Sequence, residues 1–178
     1  MRLICFLVAG ILLIGFQTTI FQIMPSWLGS PDLVFILVAF IAYRFALLTG
    51  LFLVFTLGWM MDIVSGIYLG TYVVEYVLLF ACLSLLTANS PIKESVYQVP
   101  LVGAGYFLAQ FILYFILSIM VSDGLPPWLW DRVLRETILL TMATIPCFLL
   151  FNSLNEFLLK KKVLRRISQR KKSGNQFR

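Results

Sequence analysis

The chain has 178 residues; 61% are apolar and only 12% are charged, against roughly 25% charged in an ordinary soluble domain. No soluble fold of this size could bury so much apolar surface, so the composition excludes a soluble enzyme or binding module and points to an all-α, polytopic membrane protein. The net charge is +6, and most of it lies at the C-terminal end.

Six apolar segments follow in order. The first covers 3–23, with no charge between Arg2 and Asp32. It lacks the short core and small-residue cleavage site of a signal peptide, so it reads as a retained membrane helix. The second covers 33–43 and is short. Eleven residues of helix span about 16 Å, roughly half a hydrocarbon core. It either tilts with help from its flanks or is a partial span packed inside the protein. Arg44 separates it from the third segment, 45–63.

The fourth segment covers 71–88 and is followed by the polar stretch NSPIKESVYQ. The fifth covers 99–121. After it comes SDGLPPWLWDRVLRE, read as a turn leading to an interfacial helix, with Trp128 and Trp130 at headgroup level. The sixth covers 136–159, with a kink expected at Pro146. A membrane bundle over 1–159 and a basic tail over 160–178 are therefore expected, the tail disordered beyond its first turn.

Charge sets the expected topology. With six spans and both termini in the cytoplasm, Arg2, Arg44, Lys93 and nine tail residues lie inside, and only Arg132 and Arg135 lie outside. That fits the positive-inside rule. Lys160, Lys161, Lys162, Arg165 and Arg166 are candidate contacts for anionic lipid. Charge alone would also suit nucleic acid, but nothing else in the chain points there. The three cysteines, Cys5, Cys82 and Cys147, are isolated in apolar runs and read as small buried hydrophobes. There is no histidine, which removes the commonest metal ligand and proton shuttle.

Asp62 is the most expensive residue by position, because an ionisable group beside membrane-depth residues costs free energy. It belongs to a run at spacing four: Gly58, Asp62, Gly66 and Gly70. If helical, these share one stripe, and Gly66 and Gly70 form a small-residue pair that brings two helices close. Alternatively, Ser65 and Gly66 form a turn between spans, and Asp62 caps the outer end of the third segment. Glu75 lies one turn into the fourth segment. It either reaches the outer interface or pairs with Arg132 or Arg135.

Tyr106, Gln110, Tyr114 and Ser118 are also spaced by four. Gln110 falls mid-span, where an amide facing lipid would be unsatisfied, so this face should point into the bundle or at a partner helix. Thr137, Thr141, Thr144, Asn152 and Asn155 form a similar bias on the sixth segment. Interhelical hydrogen bonding, a polar cavity and a docking face all remain open for these two faces. Catalytic ingredients are thin: no diphosphate-metal motif, no glycine-rich phosphate loop and no Ser/His arrangement occurs. No enzyme activity and no cofactor are expected.

The stretch from Pro31 to Tyr76 resembles the rod shape-determining MreD family. The resemblance rests on Pro31-Asp32 opening an apolar helix, on Arg44 after it, and on LGWMMDIVSGIYLG with its Gly58, Asp62, Gly66, Gly70 pattern. Glu75 departs from the family pattern, which has an uncharged residue near there. The resemblance implies a fold similar to the substrate-binding S component of ECF vitamin transporters. It further implies a non-enzymatic bacterial inner-membrane protein of cell elongation. Its implied partners are MreC first, and through the complex MreB, RodA and a class-B penicillin-binding protein. Gly58, Asp62, Gly66, Gly70, Pro31, Asp32, Arg44, Gln110 and Tyr114 are the residues expected to shape the partner site. The alternative implied by the shared fold is a small-molecule (vitamin) transporter subunit.

Overall fold

The computed structural model describes residues 2–20, 31–66, 69–89, 95–120 and 129–174. They form six helices: α1 (Arg2–Ile20), α2 (Leu33–Arg44), α3 (Leu47–Ser65), α4 (Thr71–Asn89), α5 (Ser95–Met120) and α6 (Trp130–Gly174). Four carry stretches long and apolar enough to cross a membrane: Arg2–Thr19, Leu47–Ser65, Gln98–Ile116 and Trp130–Lys161. The α2 helix and the apolar part of α4, Thr71–Thr87, are shorter. The chain is a helical multi-pass membrane protein by these lengths and their hydropathy.

The short second helix is the centre of the fold. Its sequence, LVFILVAFIAYR, is apolar on every side, and such a helix is stable only when surrounded. Val34 to Ala42 are all buried, and α2 touches each of the other five helices. Phe40 stacks on Phe6 of α1 at 5.7 Å and packs against Phe151 of α6 at 5.6 Å. Phe35 meets Tyr106 of α5 edge-on at 5.1 Å. Of the two expectations for this segment, the structure takes the second: a short helix packed inside the protein.

The surrounding helices turn their other faces outward. Leu48, Phe52, Phe55, Trp59 and Ile63 line the exposed side of α3, and Ile138, Met142, Ile145 and Leu149 that of α6. Such continuous apolar faces suit lipid rather than water. Since lipid is as apolar as a leucine side chain, close packing rather than hydrophobic burial must hold the helices together. Gly58 supplies the tightest backbone approach: a Cβ there would fall 2.8 Å from Val73 Cα on α4. Gly66 and Gly70 do not pair helices as their spacing suggested. Both lie in the α3–α4 turn with positive φ, 63° and 99°, which a Cβ disfavours.

Four further expectations change. Trp130 to Arg135 are the first turns of α6 rather than a separate interfacial helix. Leu159 is not an end: α6 continues into the basic tail as far as Gly174, because this stretch is rich in Lys and Arg, which favour helix. Cys82 is exposed on α4 rather than buried. Thr137, Thr141 and Thr144 donate to the carbonyls of Val133, Thr137 and Leu140 on their own helix, at 2.7, 2.7 and 2.8 Å. A hydroxyl finds that acceptor without any neighbouring helix. Ile23, Lys93, Asp123, Pro126, Pro127, Trp128 and Arg178 lie outside the described residues.

Gly58→Ala should therefore overpack the α3–α4 contact and cost about 1–3 kcal/mol. Gly15→Ala, where an added Cβ meets nothing within 4 Å, should be neutral or slightly stabilising. Reversible unfolding of the purified protein in mild detergent, titrated with a denaturing detergent, compares the two.

Candidate functional site: buried carboxylates around the start of helix α4

Successive helices alternate in direction, so the end of α3 and the starts of α2, α4 and α6 share one end of the bundle. Asp32, Asp62 and Glu75 gather near it and are 7%, 2% and 3% exposed. We refer to it as the acidic end.

Asp62 stands in the last turn of α3, and its own carbonyl accepts the Gly66 N–H at 3.1 Å. Its carboxylate reaches past the turn to α4. Oδ2 accepts from the Gly70 and Val73 amides at 2.9 and 3.4 Å, and Oδ1 from the Tyr72 amide at 2.8 Å. A helix leaves its first amides without internal partners, and a carboxylate there also meets the positive end of the helix dipole. Asp62 therefore caps the following helix across a turn, not the helix it belongs to. Gly66 and Gly70 supply positive-φ backbone on either side of the turn between Asp62 and the amides it caps.

Asp32 does the equivalent for α2 in the usual way. Its Oδ1 accepts from the Val34 and Phe35 amides at 3.0 and 3.3 Å. Its other oxygen, Oδ2, accepts the hydroxyl of Tyr76 on α4. Pro31 precedes it, outside the helix, where its missing N–H costs nothing. The Leu33 amide, the next free donor of α2, goes to Gln17 Oε1 of α1 at 3.1 Å. Thus the starts of α2 and α4 are held by two carboxylates, and Tyr76 ties them together.

The remaining polar groups extend this arrangement toward α5 and α6. Gln110 Nε2 donates to Glu75 Oε1 at 3.2 Å. The Tyr106 hydroxyl reaches Glu136 Oε2 at 3.4 Å, and Arg132 Nε pairs with Glu136 Oε1 at 3.1 Å. Arg135 pairs with Asp131 at 2.7 Å. The expected ion pair from Glu75 to Arg132 or Arg135 is therefore absent. Both arginines have carboxylates four residues away on their own helix, a cheaper match than one across the bundle. Glu75 instead faces α5 and takes the Gln110 amide. Among the described residues, no group of three or more His, Cys, Asp or Glu is arranged to hold a metal ion.

The structure brings together Pro31, Asp32, Gly58, Asp62, Gly66 and Gly70 around the start of α4, and Gln110 reaches the same helix through Glu75. Tyr106 is buried and Tyr114 half-buried on α5, but Ser118 is exposed, so that face turns inward over its first two members and outward at its last. Arg44 does not join them. It lies at the opposite end, bonded to Asn152 of α6 at 3.2 Å. Lys160 and Lys161 are exposed on α6, also away from this site, while the side chains of Lys162, Arg165 and Arg166 lie outside the described ones.

Sequence reasoning missed Gln17 and Tyr76. Tyr76 carried a usable signal: a tyrosine beside an acid, with Tyr72 four residues before it, on a helix whose start was already marked by Gly70. Gln17 carried a weaker one, as an amide deep in an otherwise apolar run. Comparisons of the chain with family models, with curated proteins and with solved structures give no match.

Asp62→Ala leaves three amides without an acceptor and should destabilise the protein by about 3 kcal/mol. Asp62→Asn keeps one acceptor oxygen and should cost less. Tyr76→Phe removes only the hydroxyl and should cost about 1–2 kcal/mol. Detergent unfolding midpoints that fail to follow this order would contradict the capping assignment.

Proposed function

We propose that the chain is an MreD-like scaffold of the bacterial inner membrane that works in cell elongation by binding rather than by chemistry. The observation that carries this reading is convergence. The two parts of the stretch that resembles the family, Pro31-Asp32 and the Gly58–Gly70 pattern, are distant in sequence yet close on the same first turns of α4. A stretch recruited for one purpose is expected to act in one place. Every Asp62 and Asp32 oxygen accepts a hydrogen bond from the protein itself, which supports a structural rather than a catalytic role.

On this reading the six helices all contribute to the membrane domain, with both termini cytoplasmic and the acidic end outside. The braced α2–α4 region holds the outer end in one shape, and the exposed apolar faces of the outer helices receive the membrane segment of MreC. MreB, RodA and the class-B penicillin-binding protein join through the complex. The basic end and the helical tail meet the cytoplasmic surface and its anionic lipid.

Depletion of the protein in its native rod-shaped host should round the cells, and MreC from the same host should co-purify with it in mild detergent. Asp62→Ala should weaken that co-purification severalfold at equal protein level. Unchanged cell shape together with loss of vitamin uptake would overturn the scaffold reading in favour of a transporter subunit.

A further inference from the structure

The opposite end of the bundle is built on a different principle. Arg2 opens α1 and Arg44 closes α2. Arg2 Nη2 donates to the Arg44 carbonyl at 2.9 Å, and the Arg2 guanidinium lies 4.1 Å over the Phe45 ring. Arg44 Nη2 donates to Asn152 Oδ1 at 3.2 Å, and Asn152 Nδ2 in turn donates to Glu156 Oε1 at 3.1 Å. The two guanidinium groups are thus held by a carbonyl, a ring and an amide. Among the described residues neither forms an ion pair with a carboxylate within 4.0 Å, in contrast to Arg132 and Arg135 at the acidic end. Two neighbouring guanidinium groups fixed by neutral groups form a positive centre at this end of the bundle.

A second observation falls at the same end. Three buried side-chain atoms lack any hydrogen-bond partner among the described residues: Arg2 Nε, Tyr43 Oη and Asn155 Oδ1. They come from the first turn of α1, the last turn of α2 and the stretch of α6 just past Asn152. The Tyr43 ring packs edge-on against Phe148 of α6 at 6.3 Å, which fixes its hydroxyl at the α2–α6 seam. Asn155 is 4% exposed. Buried polar atoms without partners are rare and require a reason, and an absent ligand is one.

The unfilled valences describe what would fill them. Arg2 and Tyr43 offer donors, the arginine pair offers charge, and Asn155 offers an acceptor. The complement is an anionic group that accepts several hydrogen bonds and carries a donor beside it. In a multi-pass membrane protein, a helix-bundle end lies where headgroup phosphates are abundant, and the guanidinium fork matches phosphate oxygens. We propose that Arg2, Tyr43, Arg44 and Asn155 form a site for the phosphate group of an anionic phospholipid with a hydroxylated headgroup, of the phosphatidylglycerol class. The phosphate oxygens take the arginine and tyrosine donors, and a headgroup hydroxyl donates to Asn155. Bound there, the lipid joins α1, α2 and α6 at the end that the buried carboxylates do not reach. Lys160 and Lys161 add attraction at longer range but are not part of the site. The inference stands independently of the scaffold reading, since it needs only a membrane-embedded bundle.

The test is retention of added lipid by the full chain in mild detergent, read by native mass spectrometry and by thermal melting. Phosphatidylglycerol should be retained about fivefold or more over phosphatidylcholine. R2Q and R44Q should each lower that retention about fivefold. Y43F, which changes no charge, should lower it about threefold. A K160Q/K161Q double variant should lower it less than either arginine variant. Because R2Q or R44Q could disturb folding, R2K and R44K are measured alongside, with melting in the absence of lipid as the control; they keep the charge, lose the fork and should fall between. Retention by R2Q and Y43F equal to the unmodified chain would overturn the proposal. So would an equal loss from K160Q/K161Q, which would reduce the effect to general surface charge. Inorganic phosphate raising the melting temperature as much as the lipid would overturn the lipid assignment and make a soluble phosphate the ligand.

Discussion

Inside a membrane the first amides of a helix are a liability, because no water is at hand to satisfy them and each unpaired group costs several kcal/mol. The start of α4 has this problem, and Asp62 solves it from the preceding helix. One side chain accepts from the Gly70, Tyr72 and Val73 amides. This fixes the α3–α4 turn, which in turn sets the distance at which Gly58 can lie against Val73. Asp32 then couples the same helix to α2 through Tyr76. With α2 enclosed by all five other helices, the position of α4 relative to α2 constrains the whole bundle.

The cost of burying two carboxylates is offset by setting their oxygens at a helix start, where unpartnered backbone amides and the positive end of the helix dipole meet them. That explains why neither Asp32 nor Asp62 pairs with a basic residue among the described ones. Backbone amides are fixed by the helix itself, so no long side chain has to be ordered to meet the charge. An arginine would have to be carried into the bundle with its own desolvation cost. Glu75 lacks such a helix start and settles for the Gln110 amide.

Much of this was legible in the chain. The apolar runs placed the first five helices to within a few residues but stopped α6 well short of Gly174, and the shortness of 33–43 left a tilted span and a helix packed inside the protein as equal alternatives. Asp62 and the glycines around it were marked as a site by cost and spacing. Their roles were not legible, because spacing four is shared by a helix stripe and by a turn that happens to repeat it. Only the positive φ of Gly66 and Gly70 separates the two. Glu75 takes neither alternative open to it in the sequence: it is buried rather than at the interface, and Arg132 and Arg135 have Glu136 and Asp131 one helical turn away. The tail was judged by charge density, whereas its residues individually favour helix, and α6 continues through it.

The two ends of the bundle differ in where their polar capacity goes. At the acidic end, the buried carboxylates, the tyrosine hydroxyls of Tyr76 and Tyr106, and the arginines of α6 all find partners within the protein. At the other end, two arginines lean on neutral groups, and three buried atoms have no partner among the described residues. A surface that must hold one shape for a neighbour gains from having its valences closed. A surface that sits in headgroups can leave them open, because phosphates and hydroxyls are always near. On the scaffold and lipid-site proposals, this asymmetry gives recognition of shape to the end braced by Asp62 and recognition of lipid chemistry to the end built on Arg2 and Arg44.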